Sequence, residues 1–360
     1  MATDPTSTPA PACRPASTSE LFGGIYARGG VADEVSDTAW VQAMLDVEAA
    51  LGGRRLSASE IDIEALGAEA ADHASPVVPL ARLFADTHAG ATSQDIVDTA
   101  MMLVASRAGR PLLADLEAAA GAAGLAARRH RTTPCMGMTL REPALPTSFG
   151  LRAAGWMAAI DEARACLAAT PLPVQMGGPV GHRDPSVAAT VGEALGLAVP
   201  VMPWHTNRVP VARLASALGI VCGALSKLAR DVTLTPALRE GNPDPSRPRG
   251  GSSAMAHKRN PVAAVSVLAC AKRAPGLVAT MLAAMEQEDE RAAGAWQAEW
   301  GTVTELLRLT GSAAAWARDL LEHLDVDAEA MAAEIPPSGG AIDLGAAEQI
   351  VDRVLAGAGR

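Results

Sequence analysis

Apolar residues recur along this chain at alternating steps of three and four. Val211, Leu214, Leu218, Val221, Leu225, Leu228 and Val232 keep that rhythm without a break. A spacing of about 3.5 residues predicts a helix packed lengthwise against other helices. Trp296, Trp300, Val303, Leu307, Thr310, Ala314, Ala317, Leu321 and Leu324 form a second run of the same kind. Two long helices with narrow seams predict a bundle. Between them, Pro261 to Met285 is helical in composition, with a kink expected at Pro275, which lacks an amide donor and crowds the preceding turn. Near the start, Ser36 is placed to cap a helix that repeats Trp40, Met44, Val47 and Leu51 and stops at Gly52-Gly53. No alternating strand series competes, so the expected fold is all-α, a bundle of long helices.

Three polar islands break this pattern: HAGATSQD (88–95), MGMTLREPALPTSFG (136–150) and GGSSAMAHKRNPV (250–262). A packed core has no use for such a concentration of glycine, hydroxyl and charged residues. Islands distant in sequence can converge in a bundle to make a site.

Composition narrows the choice. The chain has 360 residues, enough for a large buried core, and aromatic residues make up only 3%, which suits helices in close approach. Its five cysteines are scattered, with no C-x-x-C pair, and predict reduced thiols in a cytoplasm. The histidines never fall at ligand spacing, so no metal is expected. A formal charge of −10 without a basic block argues against nucleic acid as partner. Residues 1–18 are rich in Pro, Ser and Thr and are expected to be a disordered tail rather than a secretory signal. The longest uncharged stretch, near 165–181, is broken by Pro171, Pro173 and Gly177, so no membrane partner is expected.

The islands carry a resemblance. G-S-S-A-M-A-H-K-R-N-P resembles the G-S-S-x-M-P-x-K-x-N-P signature of the fumarase/aspartase superfamily, whose members eliminate a group beta to a carboxylate. The other two islands resemble the remaining signature regions, in the same order. The stretches WVQAMLDVEAAL, GATSQDIVDTA, ALPTSFGLRAAGW, PWHTNR and ERAAGAWQAEW look like the 3-carboxy-cis,cis-muconate cycloisomerases of that superfamily rather than its adenylosuccinate or argininosuccinate lyases. The resemblance spans roughly Leu21 to Leu324.

It implies a cofactor-free enzyme acting on a small polycarboxylate, a homotetramer with sites shared between subunits. Proton transfer next to a carboxylate piles charge onto that carboxylate, so donors must converge there. By resemblance Ser252 is the base, in a loop formed with Gly250, Gly251, Ser253 and Met255; amides of Gly250 and Gly251 and the charge of Lys258 are expected to stabilise its alkoxide. Lys258 and Asn260 are expected to hold carboxylate oxygens, and Thr92 and Ser93 another carboxylate. His88 is expected to touch substrate or donate a proton, and Gln175 and Arg208 to bind it. Each has a plainer alternative: Ser252 as cap of the helix at Pro261, Lys258 and Arg259 as a solvated pair, His88 as a structural residue, Gln175 as the tie of a Gly-rich turn, Arg208 as a salt bridge. His205 and His257 are expected to be orienting or solvent-facing.

The domains expected are an N-terminal helical unit (19–110), a central long-helix bundle (111–325) with the loop at 250–262, and a C-terminal segment (326–360) shortened relative to the family. Other departures are Leu140 where the lyases carry histidine, as in the bacterial cycloisomerases, and Ala256, Glu142 and His182 in place of proline, glutamine and a small hydroxyl residue. The stretch LTPALREGNPDP also lacks the usual T-E-V-x-E pattern. The rival readings are a fumarate-releasing lyase of the superfamily and a catalytically silent helical scaffold.

Overall fold

A computed structural model describes residues 20–84, 88, 90–244, 246–247, 249–337 and 340–357. The tail expected at 1–18 lies outside these residues. In chain order the elements are α1 (Glu20–Tyr26), α2 (Val31–Glu34), α3 (Asp37–Ala50), α4 (Ile63–His73), α5 (Val77–Ala81), α6 (Ser93–Arg129), β1 (Pro134–Thr139), β2 (Glu142–Ser148), α7 (Phe149–Ala168), α8 (Pro185–Leu195), α9 (Val209–Leu234), β3 (Leu238–Glu240), α10 (Val262–Ala283), α11 (Ala295–Glu322), β4 (Leu324–Val326), α12 (Ala328–Ala333) and α13 (Ala347–Gly357).

Five long helices, α6, α7, α9, α10 and α11, make the bundle. The seam read from α9 is buried along its whole length, and that of α11 is buried from Val303 to Leu321. Leu324 breaks the expectation: α11 ends at Glu322, and Leu324 belongs to β4, which pairs antiparallel with β3. In α3 the Ser36 hydroxyl accepts from the Ala39 amide at 3.2 Å, and the helix stops where Gly52 turns to φ +99°. The buried face of α3, with Val41, Met44, Leu45 and Val47, packs against α6 and α8. The helix α10 continues through Pro275 to Ala283.

Two expectations need correction. The boundary expected at 110/111 falls inside α6, 37 residues long and continuous through Pro111, so the first island and the bundle share one helix. The second island, where no strand series was expected, is a β-hairpin, β1 against β2, with Pro134 opposite Ser148 and Thr139 opposite Glu142. Its signal was hidden because β2 carries Pro143 and Pro146, which only an edge strand tolerates, and the turn places Leu140 and Arg141 at positive φ without glycine or asparagine. The C-terminal segment folds back: Val351 of α13 is buried, and Arg131 at the end of α6 donates to Glu348 at 2.7 Å.

Among the described residues, α9 and α10 are long and apolar enough to cross a membrane, yet their apolar windows are 50% and 39% buried within the bundle, as core helices are. They leave Ile220, Val265 and Leu282 exposed.

The thiols follow from the same packing. Burial pushes Cys222 and Cys270 up to about 11 and raises Cys135, while Cys166 is exposed. A raised thiol pKa leaves less thiolate near neutrality, and the thiolate is the reactive form. In the folded protein near pH ~8, a disulfide reagent is therefore expected to label Cys166 and to spare Cys135, Cys222 and Cys270 until the chain is denatured. Peptide mass spectrometry of the labelled protein checks this; equal labelling of Cys222 and Cys166 would contradict the packing.

Candidate functional site

The first island opens α6. Thr92 precedes the helix and donates its amide to Asp95 Oδ2 at 3.2 Å; Thr92 and Ser93 are half-buried. His88 is half-buried too, with Nδ1 2.7 Å from Oε1 of Glu48, a fully buried carboxylate on α3. Next to it, the fully buried Asp95 binds the Q-M-G-G turn: its oxygens accept from Gln175 Nε2 (3.1 Å) and from the amides of Gly177 and Gly178 (both 2.8 Å), with His205 Nε2 at 3.2 Å. Gly178 sits at φ +66°, and a Cβ there would lie 2.8 Å from the Gly90 carbonyl, so the turn touches the first island only because it is glycine.

Gln175 and Arg208, expected to bind substrate, are spent inside the protein. Gln175 is fully buried, and its Oε1 accepts from the Trp204 amide at 2.6 Å. Arg208, only 1% exposed, donates to both oxygens of Asp98 (2.7 and 3.0 Å) and to Glu299 (2.9 and 2.5 Å), and lies over the Trp204 ring. Burial alone would lower the pKa of Arg208, but the charges and hydrogen bonds of Asp98 and Glu299 leave it raised. For Glu299 the balance falls the other way: burial raises its pKa, and the hydrogen bond and charge of Arg208 only partly offset that. For both residues the plainer alternative, a tie and a salt bridge, describes the contacts present.

The third island is a surface loop. Gly250 at φ +75° lies so close to Asn260 that a Cβ would come within 2.4 Å of its carbonyl. The Asn260 amide donates to the Gly250 carbonyl at 2.7 Å and its side chain to that of Gly251 at 3.3 Å, which closes the loop on itself. Ser252 does not cap the following helix. Its Oγ accepts instead from the amides of Ala254 and Met255, each at 3.2 Å, so these and not Gly250 and Gly251 are the amides that meet the hydroxyl. Ser253, Met255, His257 and Lys258 are exposed, and the Lys258 side chain has no partner among the described residues.

Both stems of this loop meet one carboxylate that the sequence did not flag. Glu240, in the stretch that departs from the acidic family pattern, accepts from the amides of Ala263 (2.9 Å) and Ala264 (2.7 Å) at the start of α10, and from Arg249 Nη2 (3.2 Å) just before Gly250. Arg249 also donates to both oxygens of Asp319 on α11 (3.1 and 2.9 Å), which Arg28 shares at 2.8 Å. A carboxylate capping a long helix satisfies amides that would otherwise be orphaned.

The islands divide between the ends of the bundle. Trp296, at the start of α11, donates to Asp98 beside the first island, whereas Asp319 near its other end holds Arg249. At 1.5 Å per residue those points on α11 are roughly 35 Å apart. The hairpin of the second island follows the far end of α6, with Leu140 at its tip almost fully exposed. Within one chain, therefore, His88, Thr92 and Ser93 are not brought to Ser252, Lys258 and Asn260. His182 is exposed, and the amide of its neighbour Arg183 donates to the Gly177 carbonyl at 3.1 Å.

Comparison with known proteins came down on one group. A family model described as lyase matches residues 70–276. The chain is 39% identical to nitrosuccinate lyase of Streptomyces davaonensis, over 90% of this chain and 78% of that one. It is 38% identical to 3-carboxy-cis,cis-muconate cycloisomerase of Bradyrhizobium diazoefficiens, over 85% and 77%. The crystal structure of 3-carboxy-cis,cis-muconate lactonizing enzyme from Pseudomonas putida superposes with a TM-score of 0.82 at 29% identity, covering 94% of this chain and 88% of that one.

Two outcomes test the geometry. Arg208→Met leaves Asp98 and Glu299 buried without their cation and is expected to cost about 3–5 kcal/mol of folding stability, read from denaturant unfolding; a loss under about 1 kcal/mol would mean that the cluster is neutral in the folded state. Glu240→Ala removes the clamp on the loop stems, at about 1.4 kcal/mol or more, and so raises the open population about tenfold. Trypsin should then nick after Lys258 or Arg259 correspondingly faster, and unchanged cleavage would show that Glu240 does not hold the loop.

Proposed function

Because the chain belongs to the lyase family within the fumarase/aspartase superfamily, we propose that it interconverts 3-carboxy-cis,cis-muconate and gamma-carboxymuconolactone, a step of aromatic-acid catabolism. In the lactonising direction a substrate carboxylate oxygen adds to an alkene carbon and the neighbouring carbon, alpha to another carboxylate, takes a proton. In the reverse direction that proton leaves and the C–O bond breaks, releasing the carboxylate. No redox change occurs, and every atom and electron comes from the substrate and one exchanged proton.

The observation that carries the reading is the Ser252 hydroxyl, with two backbone amides on its oxygen in an exposed glycine-flanked loop. Amides aimed at Oγ favour the alkoxide, and the nearby Lys258 charge acts in the same direction. Ser252 is the base that takes the alpha proton. Lys258 holds the carboxylate whose charge grows in the transition state, while Thr92, Ser93 and His88 meet another. Asn260 shapes the loop as well as facing the substrate. In the cycloisomerisation the leaving carboxylate needs no proton, so His88 has only charge to manage; a lyase would ask it for a proton as well.

Assembly follows from the two half-sites. A small polycarboxylate cannot span roughly 35 Å, so Ser252 of one subunit works with His88 of another in a homotetramer. The apolar groove of about 630 Å³ between α7, α9 and α10, lined by Val209, Ile220, Leu282 and Met285, offers surface for that packing. The free cysteines fit a cytoplasmic location. The relative named nitrosuccinate lyase supports a second reading, elimination across a single bond of a succinate-type dicarboxylate.

A substrate panel separates the two. Loss of the diene absorbance of carboxymuconate supports the cycloisomerase; fumarate formed from a substituted succinate supports the lyase; a folded chain that turns over neither is the silent scaffold. On the substrate that reacts, Ser252→Ala is expected to lower kcat by at least about a hundredfold with helicity unchanged, and Lys258→Met to raise KM as well as lower kcat. Near-normal rates would remove Ser252 as base. Shared sites predict that His88→Ala and Ser252→Ala chains, each nearly inactive, regain part of the activity when refolded together; no recovery in confirmed mixed oligomers would put the site within one chain.

A further inference from the structure

Glu48 is a buried carboxylate that the reaction above does not use. It lies on the core face of α3, beside Met44, Val47 and Leu51 in the repeat, and is fully buried. Its Oε1 meets His88 Nδ1 at 2.7 Å, and its Oε2 has no hydrogen-bond partner among the described residues. A buried carboxylate whose one hydrogen-bond partner among the described residues is a histidine is weak evidence for stability, since an apolar residue would pack that position without burying charge. The contact therefore asks for a role other than stability.

The two nitrogens of an imidazole are not independent: the hydrogen bond made by one decides the state of the other. A carboxylate accepts, so a Glu48 carboxylate at Oε1 selects the ring form with the proton on Nδ1 and leaves Nε2 as the nitrogen for anything outside the fold. The ring is 21% exposed, whereas Glu48 is not exposed at all, so access is from the side away from the carboxylate. A negative charge held at Nδ1 also balances the positive charge that the ring takes up when Nε2 is protonated. Resting on the reading that His88 touches the substrate, we propose that Glu48 is a positioning residue: it fixes the tautomer and orientation of His88 so that Nε2 faces the substrate carboxylate. The Nδ1 proton stays in place throughout, and any proton exchanged with substrate or solvent is the one on Nε2. Glu48 itself makes no contact with substrate.

Five chains are compared: wild type, Glu48→Gln, His88→Asn, the double variant, and Glu48→Asp as the conservative control. All are checked for helicity and oligomer mass. If Glu48 acts through His88, Glu48→Gln lowers kcat about tenfold or more with KM within about threefold, and Glu48→Asp restores part of it. The double variant is then no slower than His88→Asn alone, because the effects of residues acting as a unit do not add. In [15N]histidine-labelled protein the His88 resonances, assigned by their loss in His88→Asn, report a proton on Nδ1 in the wild type, and the Nε2–H tautomer appears in Glu48→Gln. An Nε2–H tautomer in the wild type, a normal kcat in Glu48→Gln, or a double variant slower than His88→Asn by the full Glu48→Gln factor overturns the proposal. If the wild type turns over no substrate of the panel, the assigned reaction has failed, and the ring resonances alone decide whether Glu48 sets the state of His88.

Discussion

Arg208, closed between Asp98 and Glu299, is the contact on which this arrangement depends. Its three charges come from α9, α6 and α11, separated by much of the chain, and none is tolerable in the interior without the others. The cluster can form only when the first turns of α6 and α11 meet the start of α9. Trp296 and Gln94 add donors to Asp98, and Gln287 adds one to Glu299, so the helix ends are fixed in direction as well as in distance. Even so, the single guanidinium does not fully offset burial at Glu299, whose pKa stays raised. Apolar seams alone would let these helices slide; the cluster gives them a register.

That register is passed to the first island. Gln94 joins Asp98 to the His205 carbonyl, and one turn away Asp95 receives the turn at Gly177 and Gly178, which in turn rests on Gly90. His88 and Thr92 are thereby held from beneath by buried polar groups that never meet solvent. The polar groups that order this end of the bundle are buried, whereas His88 and Thr92 above them are half-buried.

The other end of the bundle solves a different problem. Ser252 and Lys258 sit in an exposed loop, where little packing is available to hold them. Order comes instead from the stems, where Glu240 joins Arg249 to the first amides of α10, and from the Gly250–Asn260 closure. A loop fixed at its stems and open between them keeps its hydroxyl and ammonium free for a ligand. Within one chain, the residues flagged in the first and third islands lie at opposite ends of the long bundle.

Much of this was legible along the chain. The seam from Val211 to Val232, the Ser36 cap and the polar islands are local patterns, set by helix periodicity and by which side chains satisfy orphaned amides, so the bundle and the candidate positions for chemistry could be read directly. The signature residues of the third island, and the family they resemble, depended on order along the chain alone. Other features lay outside what spacing can express. The pairing of Glu48 with His88, forty residues on, has no signature in spacing. The hairpin was masked by its prolines and its glycine-free turn. Arg208 and Gln175 carried the residue types of a binding site, yet were taken up by carboxylates and amides brought to them from other helices. Hydrophobic pattern is a property of neighbours in sequence, so sequence determined the helices and the candidate chemistry. Whether a polar side chain faces a ligand or is spent on the interior depends on the partners that packing delivers, and only the tertiary structure decided that.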